Sequence, residues 1–233
     1  MPETPSRPTT LATAAGEFPL DEYRLRLAGR EWSILHTGQV LTFWDEQRFL
    51  SEAQATRAPY GVVLWPAAIA LAHDIAARAD AFRGRRVLEL GAGTGLPGIV
   101  AASLGARVVQ TDRHADAMAV CRINGERNGV RDVAYRAADW TAWDDAECYD
   151  WIIGADVLYG EATHDALRRI FATNLAPGGR VLVADPFRKN SLRLLEGMEA
   201  DGWAVAMSKW TVGDAAAGEP PRAVGVFELA PPA

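Results

Sequence analysis

The sequence predicts an α/β protein built around one mostly parallel sheet, and three observations support this fold class. From residue 86 onward, short apolar runs rich in β-branched residues alternate with longer stretches at helical spacing, which is the pattern of parallel strands joined by crossover helices. A glycine-rich turn follows the first of these runs. The last two runs are joined only by the segment GDAAAGEPP, which is too short and too rich in glycine and proline for a crossover helix, so the last strand is expected to be antiparallel.

The part of the chain that precedes the sheet has a different character. Residues 1–19 are rich in proline and threonine and are predicted to form a disordered lead-in. Residues 22–36 alternate around an Ala-Gly pair in the manner of a β-hairpin, and residues 44–54 have a helical pattern. Residues 20–60 are therefore predicted to form a small hairpin and helix cover.

Residues 61–230 are predicted to form a single domain that contains the sheet. Residues 64–80 begin it with a helix that packs on the sheet, because Pro66 suits a first helical position and the apolar residues that follow have helical spacing. The seven predicted strands cover residues 86–90, 107–112, 133–139, 150–156, 180–185, 203–212 and 222–229.

Composition limits the function classes that the chain can serve. With 233 residues and a net charge of −6, it has room for one ordinary core and lacks the basic surface that nucleic-acid binding requires. The opening residues lack the apolar segment of a secretory signal, and the uncharged residues 59–72 are too short to cross a bilayer, so a cytoplasmic protein without a membrane partner is expected. Cys121, Cys148 and the four histidines show no disulfide or metal-ligand spacing, so no metal is expected.

The turn after the first predicted sheet strand reads ELGAGTGLPG, with Glu89 ahead of Gly91, Gly93 and Gly95. Glycines at such a turn let the backbone approach a ligand that a Cβ atom would displace. Read from Gly93, the string also satisfies the G-x-G-x-x-G pattern of dinucleotide-binding turns. A dinucleotide turn, however, places its first glycine directly after the strand, and from Gly91 the pattern fails at Leu96. The register therefore favours a ligand without a pyrophosphate.

Acidic and aromatic residues near this turn indicate which ligand that is. The carboxylate of Glu89 would repel phosphates but can receive an ammonium group, directly or through water. S-adenosylmethionine (SAM) carries an amine, a cationic sulfonium and a ribose diol, and Asp112 at the end of the second sheet strand would accept both ribose hydroxyls. Asp139 and Trp140 end the third strand and suit the amino group and the face of an adenine. Trp140 taken alone is better explained as a core residue.

The combined pattern resembles the seven-stranded, SAM-dependent methyltransferase fold. More narrowly, it resembles the lysine methyltransferase family with a D-x-x-Y motif after the fourth sheet strand, which groups with the nicotinamide N-methyltransferase-like enzymes. The matching segments are GVVLWPAAIALA, VLELGAGTGLPGIVAA, TD at 111–112, DW at 139–140 and GADVLY at 154–159. They follow the family's order over roughly residues 40–212, and the first and last are the most specific. The resemblance implies a Rossmann-like class I methyltransferase domain over residues 61–230.

The resemblance also implies roles for individual residues. Asp156 is expected to capture and orient an amine acceptor, with Tyr159 shaping the slot and offering a hydroxyl. Together with the residues assigned above, the predicted SAM-binding set is Trp65, Glu89, Gly91, Ala92, Gly93, Gly95, Asp112, Asp139, Trp140 and Ala155. A branch of the family that modifies the β subunit of electron-transfer flavoprotein carries D-P-G-R after the fifth strand. Residues 185–188 read DPFR here, and Phe187 puts that substrate in doubt.

Three functions are compatible with this pattern. The leading one is a protein-lysine N-methyltransferase that acts on a cytosolic protein. The second is a small-molecule N- or O-methyltransferase on the same fold, and the third is a SAM-binding partner protein without turnover. The sequence leaves the acceptor, the number of methyl groups added and the oligomeric state open.

Overall fold

A seven-stranded sheet organises the part of the chain that the structure describes. The structure is a computed structural model, and it describes residues 10–13, 16–38, 60–213 and 221–232. Within these ranges, two further two-stranded hairpins accompany the sheet. The predicted helix at 44–54 lies outside the described residues.

The elements are numbered in chain order. The strands are β1 Thr10–Thr13, β2 Gly16–Pro19, β3 Asp21–Leu27, β4 Arg30–His36, β5 Arg86–Leu90, β6 Arg107–Asp112, β7 Val133–Ala137, β8 Tyr149–Ala155, β9 Leu175–Asp185, β10 Ala204–Val212 and β11 Arg222–Ala230. The α-helices are α1 Pro66–Ala77, α2 Ala79–Phe82, α3 Leu96–Ser103, α4 Ala115–Arg127, α5 His164–Asn174 and α6 Lys189–Ala200. Short 3₁₀ helices cover Tyr60–Val62, Trp140–Ala142 and Glu161–Thr163.

The large sheet has the strand order β10-β11-β9-β8-β5-β6-β7. Strands β5 to β9 run parallel, whereas β11 lies between β9 and β10 and is antiparallel to both. The predicted α/β class, with a mostly parallel sheet and an antiparallel last strand, is confirmed. The strand order reverses at β5, since β8 lies on one side of it and β6 on the other. In open α/β sheets, ligands bind beyond the carboxyl ends of the strands at such a reversal.

Both faces of the sheet are covered, which explains the nearly continuous apolar character of its central strands. Val87 of β5 faces a core that contains side chains of α1 and α3, whereas Leu88 and Leu90 face a core formed with α5 and α6. All three side chains are buried. Because successive side chains of a strand point to opposite faces, β5 is the layer shared by both cores.

The N-terminal strands differ in part from the prediction. The hairpin of β3 and β4 is confirmed, and its turn places Ala28 and Gly29 at φ values of 52° and 74°, as a two-residue hairpin turn requires. The prediction of disorder is wrong for residues 10–13 and 16–19, where β1 and β2 pair antiparallel. Leu11 of β1 is buried in a small cluster with Leu35 and Val120. The burial of Leu11 was not predicted, because the proline and threonine content of this segment is typical of a disordered chain.

Two asparagines, Asn124 of α4 and Asn128 directly after it, fasten strand β4 to the rest of the fold. The Asn124 side chain accepts from the Leu35 N–H at 2.8 Å and donates to the Leu35 carbonyl at 3.0 Å and the Thr94 carbonyl at 2.9 Å. Asn128 accepts from the Ser33 N–H at 3.0 Å and donates to the Ser33 carbonyl at 2.8 Å. Each asparagine thus supplies the pair of bonds that a neighbouring strand would supply, and Asn124 also reaches the glycine-rich turn.

We expect Asn124→Ala to lower the free energy of unfolding by about 2 to 4 kcal/mol, because buried groups of Leu35 and Thr94 lose their partners. Urea unfolding followed by circular dichroism measures the change. Glu126→Ala, at an exposed position of the same helix, is the matched control and should change stability by less than about 0.5 kcal/mol. Equal effects of the two substitutions would contradict the role assigned to Asn124.

Candidate active site

A cleft of about 810 Å³ opens at the carboxyl ends of the parallel strands, where the strand order reverses. Its walls come from the residues that precede α1, the turn after β5, the ends of β6 and β7, and the segments after β8 and β9. Ten of the predicted site residues line it: Trp65, Gly91, Ala92, Gly93, Asp112, Asp139, Trp140, Ala155, Asp156 and Tyr159. Glu89 and Gly95 do not.

The turn after β5 has a backbone path that only glycine follows without strain. Gly91, Gly93 and Gly95 have φ values of 62°, 55° and 80°, in the left-handed region. A Cβ atom on Gly91 would lie 2.9 Å from a methyl group of Val157, and one on Gly93 would lie 2.9 Å from the Gly61 carbonyl oxygen. The glycines therefore let the turn lie against Val157 and Gly61, which also line the cleft.

Gly95 serves packing instead of the cleft. A Cβ atom there would lie 3.0 Å from the Cys121 sulfur and 3.0 Å from Nε2 of Gln110. The residue starts α3 at its N-terminal cap and lets that helix lie close to α4 and β6. Its prediction as a ligand contact rested on the glycine spacing, which does not distinguish a glycine beneath a ligand from one beneath a helix.

Asp112 ends β6 with its carboxylate at the cleft. One oxygen accepts from the His114 N–H at 2.9 Å and the other from the Gly93 N–H at 3.2 Å. Burial raises the pKa of this carboxyl, against these two hydrogen bonds, which lower it. Each carboxylate oxygen can accept more than one bond, so both retain acceptor capacity for a ligand.

Asp139 and Trp140 form the wall beyond β7. Asp139 caps the short helix that follows by accepting from the backbone N–H and the hydroxyl of Thr141, at 2.8 and 2.7 Å, and the first of these bonds is the main cause of its lowered pKa. Trp140 is half-buried against the core beneath α5 and α6, and its ring also lies over Gly91. The two roles weighed for this tryptophan, core packing and cleft lining, therefore coexist.

Glu89 lies outside the cleft, contrary to the expectation that it receives an amine there. Its side chain is 1% exposed and sits beneath the N-terminus of α3, where it accepts from the Gln110 amide at 2.5 Å and from the Gly98 N–H. Burial raises the pKa of its carboxyl to about 8. The alternation of β5 explains the difference, because the side chain of Glu89 points to the face of the sheet that α3 covers.

Asp156 directly follows β8 and is held by an arginine that the sequence analysis left unassigned. Arg188 donates from Nε and Nη2 to the two carboxylate oxygens of Asp156, each at 2.7 Å, and its Cζ lies 6.0 Å from the ring centroid of Trp65. The sequence carried a signal for this arginine, since Arg188 ends the DPFR segment. Tyr159 lies at the mouth of the cleft and is 51% exposed.

Two kinds of feature are absent from the described ranges. No helix among these residues is long and apolar enough to span a membrane. The same residues contain no group of three or more histidine, cysteine, aspartate or glutamate side chains placed to hold a metal ion.

Residues 45–198 match the family model described as lysine methyltransferase, and this match covers more than half of the chain. The chain belongs to the lysine methyltransferase family. The membership confirms the resemblance seen in the sequence, which was to a family of SAM-dependent methyltransferases.

Individual relatives agree with this assignment. The chain is 41% identical over 114 residues to protein N-lysine methyltransferase METTL21A of Xenopus tropicalis, which covers 47% of the chain and 53% of that protein. It is 33% identical over 164 residues to METTL21A of Danio rerio, which covers 67% of the chain and 64% of that protein. The chain thus spans about half to two thirds of the length of these curated relatives.

A solved structure matches the fold. The ribosomal protein L11 methylase of Lactobacillus delbrueckii subsp. bulgaricus superposes with a TM-score of 0.56 at 21% identity, over 74% of this chain and 86% of that one. At this identity the similarity shows the shared Rossmann-like fold alone.

We expect the free energy of unfolding of Glu89→Gln, minus that of the native chain, to increase between about pH 5 and pH 9. The folded state holds the Glu89 proton up to a pKa of about 8, whereas the ordinary value is 4.5. Between these values the folded state binds more protons than the unfolded state, so the free energy of unfolding falls as pH rises, and the loss is complete above the folded pKa. Glutamine does not titrate, so the variant does not lose stability in this way. Urea unfolding of both proteins at pH 5, 7 and 9 measures it, and a constant difference would contradict the assignment.

Proposed function

We propose that the protein is a SAM-dependent methyltransferase that methylates a lysine side chain of a cytosolic protein. The observation that carries the proposal is the convergence of the glycine turn, Asp112 and the Asp156 carboxylate on one cleft in a chain of the lysine methyltransferase family. The names of the two METTL21A relatives support a protein lysine as the acceptor. The two free cysteines among the described residues are compatible with a reducing compartment.

The cleft fits SAM on two observations. The turn beneath it requires glycine, because Cβ atoms at Gly91 and Gly93 would collide with Val157 and Gly61, which line the cleft. Asp112 retains acceptor capacity beyond its two backbone bonds. Asp112 would hold the ribose hydroxyls, and Asp139 with Trp140 would hold the adenine. When bound, SAM supplies a methyl group activated by its positively charged sulfur.

The remaining chemistry is to present a neutral amine in line with that methyl group, at about 3 to 3.5 Å. A lysine has an ordinary pKa of about 10.4, so holding it neutral at pH 7 costs roughly 4 to 5 kcal/mol. We assign to Asp156 the capture and orientation of the amine. Tyr159, which lies at the mouth, shapes the path by which the side chain enters.

The exposure of the mouth favours a protein acceptor over a small molecule. Tyr159 is 51% exposed, and its backbone carbonyl accepts from the Asn190 side chain at 3.1 Å. A loop of a folded protein can therefore reach the slot from solvent. The two alternative functions are methyl transfer to a small molecule and SAM binding without turnover.

Asp112→Ala is expected to raise the dissociation constant for SAM at least about 100-fold, because two hydrogen bonds to a charged acceptor are lost, each worth about 1.5 to 3 kcal/mol. Titration calorimetry measures it. Asp132→Ala is the matched control, since it removes the same charge from an exposed site at the opposite end of the sheet. If the Asp112 variant bound SAM as tightly as the native chain, the ribose assignment would be wrong.

Incubation with methyl-labelled SAM and a lysate of the source organism should place the label on protein lysines, identified as methyllysine after hydrolysis.

Asp156→Asn should reduce turnover at least about 100-fold, because an amide orients the amine less well, and should bind SAM with similar affinity. Asparagine tolerates the left-handed backbone at this position, where φ is 55°. Asp80→Asn, at a fully solvated aspartate, is the control and should turn over normally.

Each alternative outcome assigns a different function or role. Label in the small-molecule fraction would support the small-molecule methyltransferase, and no label in either fraction would support the non-catalytic partner. Near-normal turnover by Asp156→Asn would remove Asp156 from the mechanism. Loss of SAM binding in that variant would move Asp156 to the cofactor site.

A further inference from the structure

The pairing of Asp156 with Arg188 has a geometry that a surface ion pair lacks. Two parallel bonds of 2.7 Å join the guanidinium to both carboxylate oxygens. The side chains of Arg188 and Asp156 are 21% and 6% exposed, and both residues line the cleft. Bidentate pairs of this kind fix orientation as well as charge.

The backbone on both sides of the pair is held in an unfavourable conformation. Asp156 has φ 55° and Phe187 has φ 63°, in the left-handed region that non-glycine residues occupy only at an energetic cost. Such residues persist only where the surroundings determine them. Here the Arg188 N–H donates to the buried Asp185 carboxylate at 2.6 Å, and Ser191 holds the other oxygen of Asp185 at 2.5 Å. The chain thus fixes the position from which the arginine reaches Asp156.

Neutralisation of the Asp156 charge bears directly on an amine acceptor. A carboxylate beside an amine raises the pKa of the amine and so favours the unreactive ammonium, whereas a nearby guanidinium lowers it. An unpaired Asp156 would capture the acceptor and at the same time hold its proton. A carboxylate paired with Arg188 can still accept a bond from the amine, while the net charge of the pair is zero.

We propose that Arg188 is a positioning residue that orients the Asp156 carboxylate and offsets its charge, so that a lysine amine is captured in the cleft without being held as an ammonium. This inference rests on the proposed function and deepens it. The other charged or titratable groups of this region include Asp185 beneath the pair and Tyr159 at the mouth of the cleft. Across the cleft lie Asp112, Arg113, His114 and Asp139. Asp185 is fully buried, and burial raises its pKa to about 6.

The test compares the pH dependence of kcat for the native enzyme, Arg188→Gln and Arg188→Lys, on a lysine substrate with saturating SAM. In Arg188→Gln the acidic limb of the kcat–pH profile, where kcat rises as the amine loses its proton, should move to higher pH by about one unit. This lowers kcat about 10-fold near neutral pH, and kcat should return toward the native value at alkaline pH. Arg188→Lys keeps the charge and should keep the limb near its native position. Arg193→Gln is the control, because Arg193 lies on α6, which Arg188 directly precedes, is exposed and pairs with exposed Glu161 at 3.8 Å.

A purely structural role predicts a different result. Arg188→Gln would then lower kcat by the same factor at every pH and leave the acidic limb in place, which would overturn the proposal. If the acidic limb moved by the same amount in Arg188→Lys and Arg188→Gln, the proposed offset of the Asp156 charge would also be overturned. Arg188→Met, which keeps the apolar stem of the side chain, replaces the glutamine variant if the latter does not fold.

A second measurement needs no acceptor and separates this inference from the proposed function. SAM carries a positive sulfur that S-adenosylhomocysteine lacks, so Arg188→Gln should shift the ratio of their dissociation constants several-fold in favour of SAM, and Arg193→Gln should not. If the native enzyme labels no lysine, the proposed function fails, and this ratio still decides whether Arg188 offsets the charge of Asp156. An unchanged ratio in Arg188→Gln would overturn it.

Discussion

The backbone bonds that fix the turn after β5 are the constraint on which the rest of the site depends. The Ala92 N–H donates to the Thr111 carbonyl at 2.9 Å, and the Gly93 N–H donates to the Asp112 carboxylate at 3.2 Å. The turn and the end of β6 therefore hold each other in place. Because the floor and one wall of the cleft are set by the same bonds, the glycines and Asp112 form one unit, and neither could be shifted without the other.

Local patterns in the sequence were sufficient to predict most of the fold. The bounds of β5 and β6 match the prediction, because apolar runs between charged residues define a central strand on both sides. The position of β11 was beyond these patterns. Its short linker predicted the antiparallel pairing with β10, but its insertion beside β9 depends on contacts between strands distant in sequence. β1 was missed because the composition of its segment resembles a disordered one.

The site was predictable where a single residue type and its place on a strand determine the role. Asp112 ends β6 and Asp156 directly follows β8 at the ligand-binding edge, and the structure places both at the cleft. Glu89 was wrongly predicted to lie at the cleft. The spacing locates a residue along a strand but does not indicate which helix covers that face of the sheet. Arg188 was left unassigned because its partner lies 32 positions away in the chain, and no local pattern relates the two.

The side chain of Asn124 has a consequence for how the protein fluctuates. It donates to the Leu35 carbonyl of the N-terminal hairpin and to the Thr94 carbonyl of the glycine turn, so one buried amide belongs to both. Local opening of the hairpin would leave this amide with only part of its partners and expose it to water. The hairpin and the cleft floor therefore belong to one cooperative unit, and a ligand that tightens the floor will slow amide exchange in strands that it never touches.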